Sequence, residues 1–352
     1  MAISSDSSKR RITYSDIAKE LGISKMTVSY SMRNDTRISE ATRIRVQEKA
    51  VQMGYQPDPM LSALAHYRSA NKDKQTNAVL AWINFCKQPE KQREWDVFNC
   101  YWEGAEEAAH KLGYQLEEFR LKDLPLHRMH SIFKARGIRG IILTPTPAEE
   151  EPSPEELSTF PWKDYAIVRF GESLRFLQVD FISSAQVPNA ILAFEEIQKK
   201  GYQRIGFVGH YLRHRLFNAG YLWAQQAQPV SRQLKPLYLS LDDERSKLES
   251  KLGKWMQSQR PDAIVCSAAN ILQTLKYLGY KVPQDVGLAS ISKQDNPINA
   301  GIDQNSEEIG RAAIRTLVSQ LDENRYGIRE SQKEILVKGN WTDGSMLPDK
   351  WL

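Results

Sequence analysis

Between residues 79 and 337, apolar runs alternate with amphipathic helical stretches, and this alternation constrains the fold more than any other feature of the chain. The runs are Val79–Phe85, Gln115–Phe119, Gly140–Leu143, Tyr165–Phe170, Arg204–Val208, Leu237–Leu241, Ala263–Cys266, Val286–Ile291 and Glu334–Val337. Helical patterns at 97–112, 126–136, 185–200, 244–258, 270–278 and 306–323 separate many of them. Short apolar strands connected through helices form parallel sheets covered on both faces. Nine strands over about 270 residues imply two doubly wound lobes. The dipeptide Gly-Tyr closes a helical pattern at Gly54, Gly113, Gly201 and Gly279. There glycine takes the left-handed position beyond the helix end and tyrosine packs back.

Charge separates the first fifth of the chain from the rest. Residues 1–77 hold 13 Lys and Arg against 8 Asp and Glu, whereas the remaining residues hold 35 of each. The whole net charge of +5 therefore lies in a short basic module on a neutral body, the electrostatic footprint of a polyanion binder. The apolar fraction of 41% excludes a disordered or collagen-like chain. Cys86, Cys100 and Cys266 form no CxxC pair, which disfavours a zinc knuckle or disulfide framework and fits a reducing cytosol. The longest apolar runs are far short of the roughly 18 residues of a membrane span. The first residues lack the apolar core of a signal peptide, so a cytoplasmic protein without a membrane partner is expected. No P-loop, GxGxxG or nucleophile-elbow context is present, so neither an enzyme nor a cofactor is expected. His127 and His130 share a helix face, but no third ligand stands near them, and no metal site is expected.

The basic module reads as three short helices. Thr13 and Asp16 have capping-box spacing, Ile17, Ala18 and Leu21 form an apolar stripe, and Gly22 stops the helix. Ser24 caps a second helix running to about Met32, with Val28 and Met32 facing inward and Lys25, Met26, Ser29, Tyr30 and Arg33 outward. Ser39 caps a third, carrying Ile44, Val46, Ala50, Val51 and Met53. Two helices joined by a glycine-containing turn, the second with a polar basic face, form a helix-turn-helix pattern. The second helix must show one face to the major groove while the other packs inward.

The run from Ile12 to Leu64 resembles the LacI family of bacterial transcription regulators. The matching residues are T13-Y-S-D-I-A-K-E-L-G-I-S-K-M-T-V-S29, then Asn34, Ile38-Ser39, Thr42-Arg43, Val46, Ala50, Met53-Gly54-Tyr55, Pro57 and Leu64. The resemblance implies that Lys25, Met26 and Tyr30 face base edges and that Leu64 wedges into the minor groove. Chemistry agrees. Lys25 suits guanine acceptors, Met26 a thymine methyl, and Tyr30 donates a hydrogen bond or stacks. Ser24, Thr27, Ser29, Arg33 and Arg43 then contact phosphates, which position the protein without reading sequence. Asp58 and Pro59 start a short hinge helix whose Met60, Leu61, Leu64 and Ala65 form an apolar patch. Here the family usually has small residues and an Arg or Gln, and the connection His66–Asn77 is longer than usual.

Beyond residue 78 the order resembles the periplasmic-binding-protein-like core of the same family. The local matches are Y101-W-E-G-A-E-E-A-A-H-K-L-G-Y114, R136-G-I-R-G-I-I-L143, K200-G-Y-Q-R-I-G-F207, A219-G-Y221, R260-P-D-A-I264, V282-P-Q-D-V286 and residues 302–313. The fold expected is thus α/β: a small all-α helix-turn-helix domain at 1–57, a hinge helix and linker at 58–77, and a two-lobed ligand-binding and dimerisation core at 78–352. In such cores ligands bind between the lobes, at the strand carboxyl ends.

The usual polar anchors of that cleft are missing. Phe217 stands where the family has an effector-gripping arginine, three residues before Gly220. Ser267-Ala268-Ala269 replaces an Ala-Asn-Asp element, and Ser290-Ile291-Ser292-Lys293 replaces Gly-Tyr-Asp-Asp. Candidate effector contacts are Arg213 and Arg215 from the same segment, Trp95 or Phe98 as a stacking surface, Phe217 as a ring-facing group, and Ser292. The reading is a homodimeric regulator, a repressor, that binds a pseudo-palindromic double-stranded DNA operator and is modulated by a small molecule such as a sugar. Two alternatives stand beside it: a solute- or sugar-binding protein sharing only the core, and a DNA-binding regulator whose cleft no longer binds an effector.

Overall fold

The computed structural model describes residues 12–32, 35, 37–55, 78–92, 96–147, 150–240, 243–267, 270–294, 297–328 and 330–350. The chain divides into two compact units, residues 1–77 with 321–325, and residues 78–320 with 326–352.

The first unit contains α1 (Tyr14–Leu21), α2 (Lys25–Met32) and α3 (Glu40–Gln52). The backbone N–H and hydroxyl of Thr13 both donate to the Asp16 carboxylate, at 2.8 and 2.7 Å, closing the capping box ahead of α1. Gly22 ends α1 in the left-handed conformation, φ 65°, where any other residue would be strained. Ser24 caps α2 by accepting the Thr27 N–H at 3.0 Å. Ile17, Ala18, Val28, Val46 and Ala50 make the core, with Leu21, Ile23, Met32, Met53 and Tyr55 packed around it. The third helix is more lopsided than its composition suggests. Ile44 and Val51 face solvent, and Ser31 rather than Met32 is the fully buried residue of the last turn of α2.

The second unit holds two sheets. Sheet one contains β1 (Ala78–Asn84), β2 (Tyr114–Arg120), β3 (Gly140–Leu143), β4 (Ala166–Phe170), β5 (Asp180–Ser184) and β11 (Glu334–Val337), in the order β2-β1-β3-β4-β5-β11. Sheet two contains β6 (Ile205–His210), β7 (Leu237–Leu239), β8 (Ala263–Cys266), β9 (Gly287–Ser290), β10 (Gly301–Asp303) and β12 (Asn340–Thr342), in the order β7-β6-β8-β9-β10-β12. Both repeat one doubly wound topology. Every pairing is parallel except β10 with β12. The helices are α4 (Pro89–Gln92), α5 (Asp96–Lys111), α6 (Leu126–Arg136), α7 (Pro154–Ser158), α8 (Gln186–Lys199), α9 (Arg215–Gln225), α10 (Arg245–Gln259), α11 (Ile271–Tyr277) and α12 (Ser306–Asp322).

Each expected apolar run contains a strand. Three further strands, β5, β10 and β12, and the helices α4, α7 and α9 were not expected. β10 and β12 have three residues each, too few for alternation to show. The helix α9 lies where the sequence showed only a local Ala-Gly-Tyr match. The Gly-Tyr stops are confirmed at Gly54, Gly113, Gly201 and Gly279, with φ between 70° and 89°. All three cysteines are free thiols, and burial pushes those of Cys86 and Cys266 up to about 12. His130 is bound into its lobe, its Nδ1 2.8 Å from the Tyr165 hydroxyl. Among the described residues no helix is long and apolar enough to cross a membrane.

The chain passes between the lobes three times, from β5 to α8, from β10 to α12 and from β11 to β12. Short polar side chains join the crossings. The Gly339 N–H donates to Asn189 Oδ1 at 2.8 Å, Asn189 Nδ2 to Ser184 Oγ at 2.9 Å, and Asn305 Nδ2 to the Lys338 carbonyl at 2.7 Å. A Cβ at Gly339 would lie 2.6 Å from the Asp303 carbonyl oxygen, so the strands cross more closely than a side chain allows.

In the first lobe α5 and α12 touch backbone to backbone. A Cβ on Gly104 would lie 1.9 Å from the Glu307 carbonyl oxygen, and one on Gly310 would lie 2.1 Å from that of Tyr101. In α10, a Cβ on Gly253 would meet nothing nearer than 3.6 Å. Gly104→Ala and Gly310→Ala are therefore expected to destabilise the chain by about 1–3 kcal/mol in denaturant titrations. Gly253→Ala should stabilise it by about 1 kcal/mol. Equal effects at all three positions would contradict this packing.

Candidate DNA-reading helix and inter-lobe cleft

The helix α2 is held from one side by Val28, which is fully buried. Its first turn is open. Met26 is 64% exposed and Lys25 is also exposed, while Ser29 and Tyr30 are half-buried. The helix thus has a fixed inner face and an outer face with ammonium, thioether, hydroxyl and phenol groups. These are the groups that major-groove edges and phosphates require. The hydroxyls of Ser24 and Thr27 lie 2.8 Å apart in the cap, beside the start of that face. Arg43, half-buried, lies in the first turn of α3.

Sequence reasoning missed one residue of this face. The Arg37 guanidinium lies 4.1 Å from the centroid of the Tyr30 ring. It is fixed there by the Asp35 carboxylate, which accepts from Arg37 Nε and Nη2 at 3.0 and 2.7 Å. A cation over the ring face restricts the orientation of the phenol. The signal was legible only as an aspartate two residues before an arginine, and such a pair says nothing about the ring beneath. Arg33 and Leu64 lie outside the described residues, as does the hinge segment with Pro57, Met60 and Leu61.

In the second unit, the strand carboxyl ends of the two sheets face each other where Arg215, after β6, pairs with Glu172, after β4; this is the edge at which such sheets bind ligands. From the first lobe come the residues after β1, β3 and β4, which include Cys86, Thr144, Thr146 and Glu172. From the second come those after β6, β8 and β9, which include His210, Ser267 and Ser292, together with Arg215 at the start of α9. Thr144 and Ser267 occupy equivalent places, one residue beyond β3 and β8, at the point where each sheet reverses its strand order. Both hydroxyls are buried, and among the described residues neither has a hydrogen-bond partner. A buried hydroxyl without a partner is costly, which marks both positions as polar sites at the switch points of the two sheets.

Two of the expected effector contacts are corrected by the structure. Phe217 is 1% exposed and stacks on Phe207 with ring centroids 5.9 Å apart, so it is a core residue of the second lobe. Its helix explains this. Phe217, Gly220, Tyr221 and Ala224 recur at helical spacing on the inward face of α9, and a Cβ on Gly220 would lie 2.5 Å from the Val187 carbonyl oxygen of α8. The Tyr221 hydroxyl donates to the Ile205 carbonyl at 2.9 Å. The Gly-Tyr element is thus packing chemistry. Phe98 is likewise buried, 3% exposed and edge-on to Trp82 with centroids 6.1 Å apart. Trp95, Ala268 and Ala269 lie outside the described residues. Arg213 is exposed and Ser292 half-buried. Arg215 is engaged, with Nη2 donating to Glu172 at 2.6 Å.

At the mouth of the second lobe, His214 Nδ1 accepts the His210 backbone N–H at 3.1 Å, which requires a neutral ring. Burial, then the neighbouring His210 and Arg213, hold His214 down at about 4. His210 is lowered as well, chiefly by burial.

The chain is a helix-turn-helix module followed by a two-lobed α/β core, the build of a DNA-binding transcription regulator. Residues 13–58 match the bacterial regulatory proteins of the lacI family, and residues 194–342 match the periplasmic binding protein-like domain. The first module is thus similar to the DNA-binding module of LacI-family regulators. The chain is 24% identical over 351 residues to the HTH-type transcriptional repressor CytR of Escherichia coli K12, covering 93% of this chain and 96% of the relative. Among solved structures it is similar to the transcriptional regulator CelR in complex with cellobiose, with a TM-score of 0.54 at 17% identity over 96% of this chain and 100% of that one. It is also similar to the lac repressor dimer bound to operator and the anti-inducer ONPF, with a TM-score of 0.53 at 15% identity over 96% of this chain and 100% of that one.

Because the folded pKa of His214 lies below the ordinary histidine value near 6.5, its contribution to stability is present above pH 6.5 and is lost as pH falls toward 4. The wild-type melting temperature should therefore fall between pH 6.5 and 5, above the range where carboxylates titrate. His214→Gln, whose amide oxygen also accepts the His210 N–H, should remove part of that slope, up to about 3 kcal/mol over the whole window. An unchanged slope in the variant would show that His214 is not held neutral.

Proposed function

We propose that this protein is a homodimeric transcriptional repressor of the cytoplasm, resident on DNA, that reads a pseudo-palindromic operator with one α2 helix per half-site. The observation that carries the reading is the division of α2 into a buried Val28 face and an open face bearing Lys25 and Met26. In this reading Lys25, Met26 and Tyr30 meet base edges, with Tyr30 steadied by Arg37. Ser24, Thr27, Ser29, Arg33 and Arg43 contact phosphates. Leu64 as a minor-groove wedge rests on the family resemblance. The domain division at 57 and 77, with dimerisation assigned to the core, belongs to the same proposal.

The cleft is proposed to take a small hydroxyl-bearing molecule, a sugar or a derivative of one. Support comes from the buried hydroxyls of Thr144 and Ser267 at equivalent positions of the two sheets, from exposed Arg213 and half-buried Ser292, and from the sugar complex of the similar CelR. Such a molecule changes DNA affinity only by its unequal affinity for the lobe arrangements.

The test uses the duplex that the full-length chain prefers. Lys25→Ala and Tyr30→Ala should each cost about 1–3 kcal/mol and relax preference at particular base pairs. Arg37→Ala should resemble a weaker Tyr30→Ala. Arg43→Ala should weaken binding to every duplex about equally and lower the slope of log affinity against log salt by about 1. If all four variants weaken binding equally on every sequence, α2 is not the reading helix.

A further inference from the structure

We infer that Glu172 and Arg215 form a clasp that holds the two lobes together across the mouth of the cleft when no small molecule is bound. The inference builds on the reading of this cleft as a site that opens and closes. The pair joins elements that share no sheet. Glu172 lies in the turn after β4 of the first lobe, and Arg215 opens α9 of the second. Arg215 Nη2 donates to the Glu172 carboxylate at 2.6 Å. Arg175, three residues on, pairs with the same carboxylate from its own lobe.

What distinguishes this pair from an ordinary surface ion pair is the preparation of the turn that carries it. Arg169, 4% exposed, lies with its guanidinium 4.4 Å from the Phe181 ring and donates through Nη1 to the carbonyls of Gly171 and Ser173. The Ser173 hydroxyl accepts the Thr146 N–H and donates to the Thr146 carbonyl, both at 3.0 Å. Leu174 has φ 56°, an unfavourable backbone for a leucine, and its N–H is held by Glu151 Oε1 at 3.1 Å. A buried arginine, a two-way hydroxyl bridge and a left-handed leucine thus fix the residues on both sides of Glu172. Side-chain entropy normally cancels most of the gain from an exposed ion pair. Here Arg175 holds the same carboxylate within the first lobe, and Arg215 is placed by its position in the first turn of α9.

The pair is a bias and not a lock. Arg215 is 40% exposed and Glu172 38%, so water and salt weaken the attraction. An exposed pair shifts a two-state equilibrium by roughly 1.5- to 5-fold. A bias of that size suits an equilibrium that a small molecule must still be able to move.

The test is the distance between spin labels on Lys122 of the first lobe and Lys276 of the second, in the full-length chain with Cys100→Ser and no small molecule added. The wild-type distribution should be dominated by one short distance at low salt. Glu172→Gln and Arg215→Gln should each lower the short-to-long population ratio by about 1.5- to 5-fold. The double variant should do no more than either alone. Raising salt to about 1 M, where the screening length falls to about 3 Å, should move wild type toward the variants and leave the variants unmoved. Identical distributions in wild type and both single variants, or fully additive effects in the double variant, would overturn the clasp. Because no small molecule is present, failure of effector binding would leave this outcome unchanged.

Discussion

A parallel sheet puts all its strand carboxyl ends on one edge, and this chain builds two such sheets whose carboxyl edges share one cleft. Everything distinctive about the core depends on that constraint. It puts the ends of β1, β3 and β4 on one edge of the first sheet and those of β6, β8 and β9 on one edge of the second. It puts Thr144 and Ser267 at matching positions, and it brings Glu172 within reach of Arg215. Three chain crossings, joined by Asn189, Asn305 and the backbone at Gly339, connect the two lobes. A two-lobed core of this kind converts a small difference in ligand contact into a change in lobe geometry.

The DNA-reading unit works on a different principle. Its described residues form no sheet, and its core is five small or branched side chains from three helices. Such a core suffices to orient α2, because capping does much of the local work. Asp16 closes the box at Thr13, Ser24 accepts from Thr27, and Gly22 turns the chain between helices. Basic residues are thereby kept out of the core and on the surface, where counterion release on a phosphate backbone rewards them.

Several local signals, carried by residues close together in sequence, were read correctly. The capping box, the glycine stops and the apolar strand runs are of this sort, and each was found where the sequence placed it. Contacts made across the chain were harder. Phe217 looked like a cleft residue by its distance from Gly220, yet Gly220 and Tyr221 exist to pack α9 on α8 and β6, and Phe217 follows them into the core. Helical periodicity over 215–225 carried that information, but the helix itself went unrecognised. Arg37 over Tyr30, and Arg169 beneath the Glu172 turn, depend on the path of the chain and leave no spacing rule behind. The strands β10 and β12 are too short for periodicity to show and owe their pairing to the sheet they complete.

The account stands on the claim that this chain reads DNA as a symmetric pair of α2 helices. Selection of duplexes from a random pool by the full-length protein tests that claim most directly. The account predicts enrichment of one motif with two inverted half-sites, their centres spaced about one helical turn apart. Enrichment of a single asymmetric motif, or retention of DNA with no sequence preference at all, would contradict it.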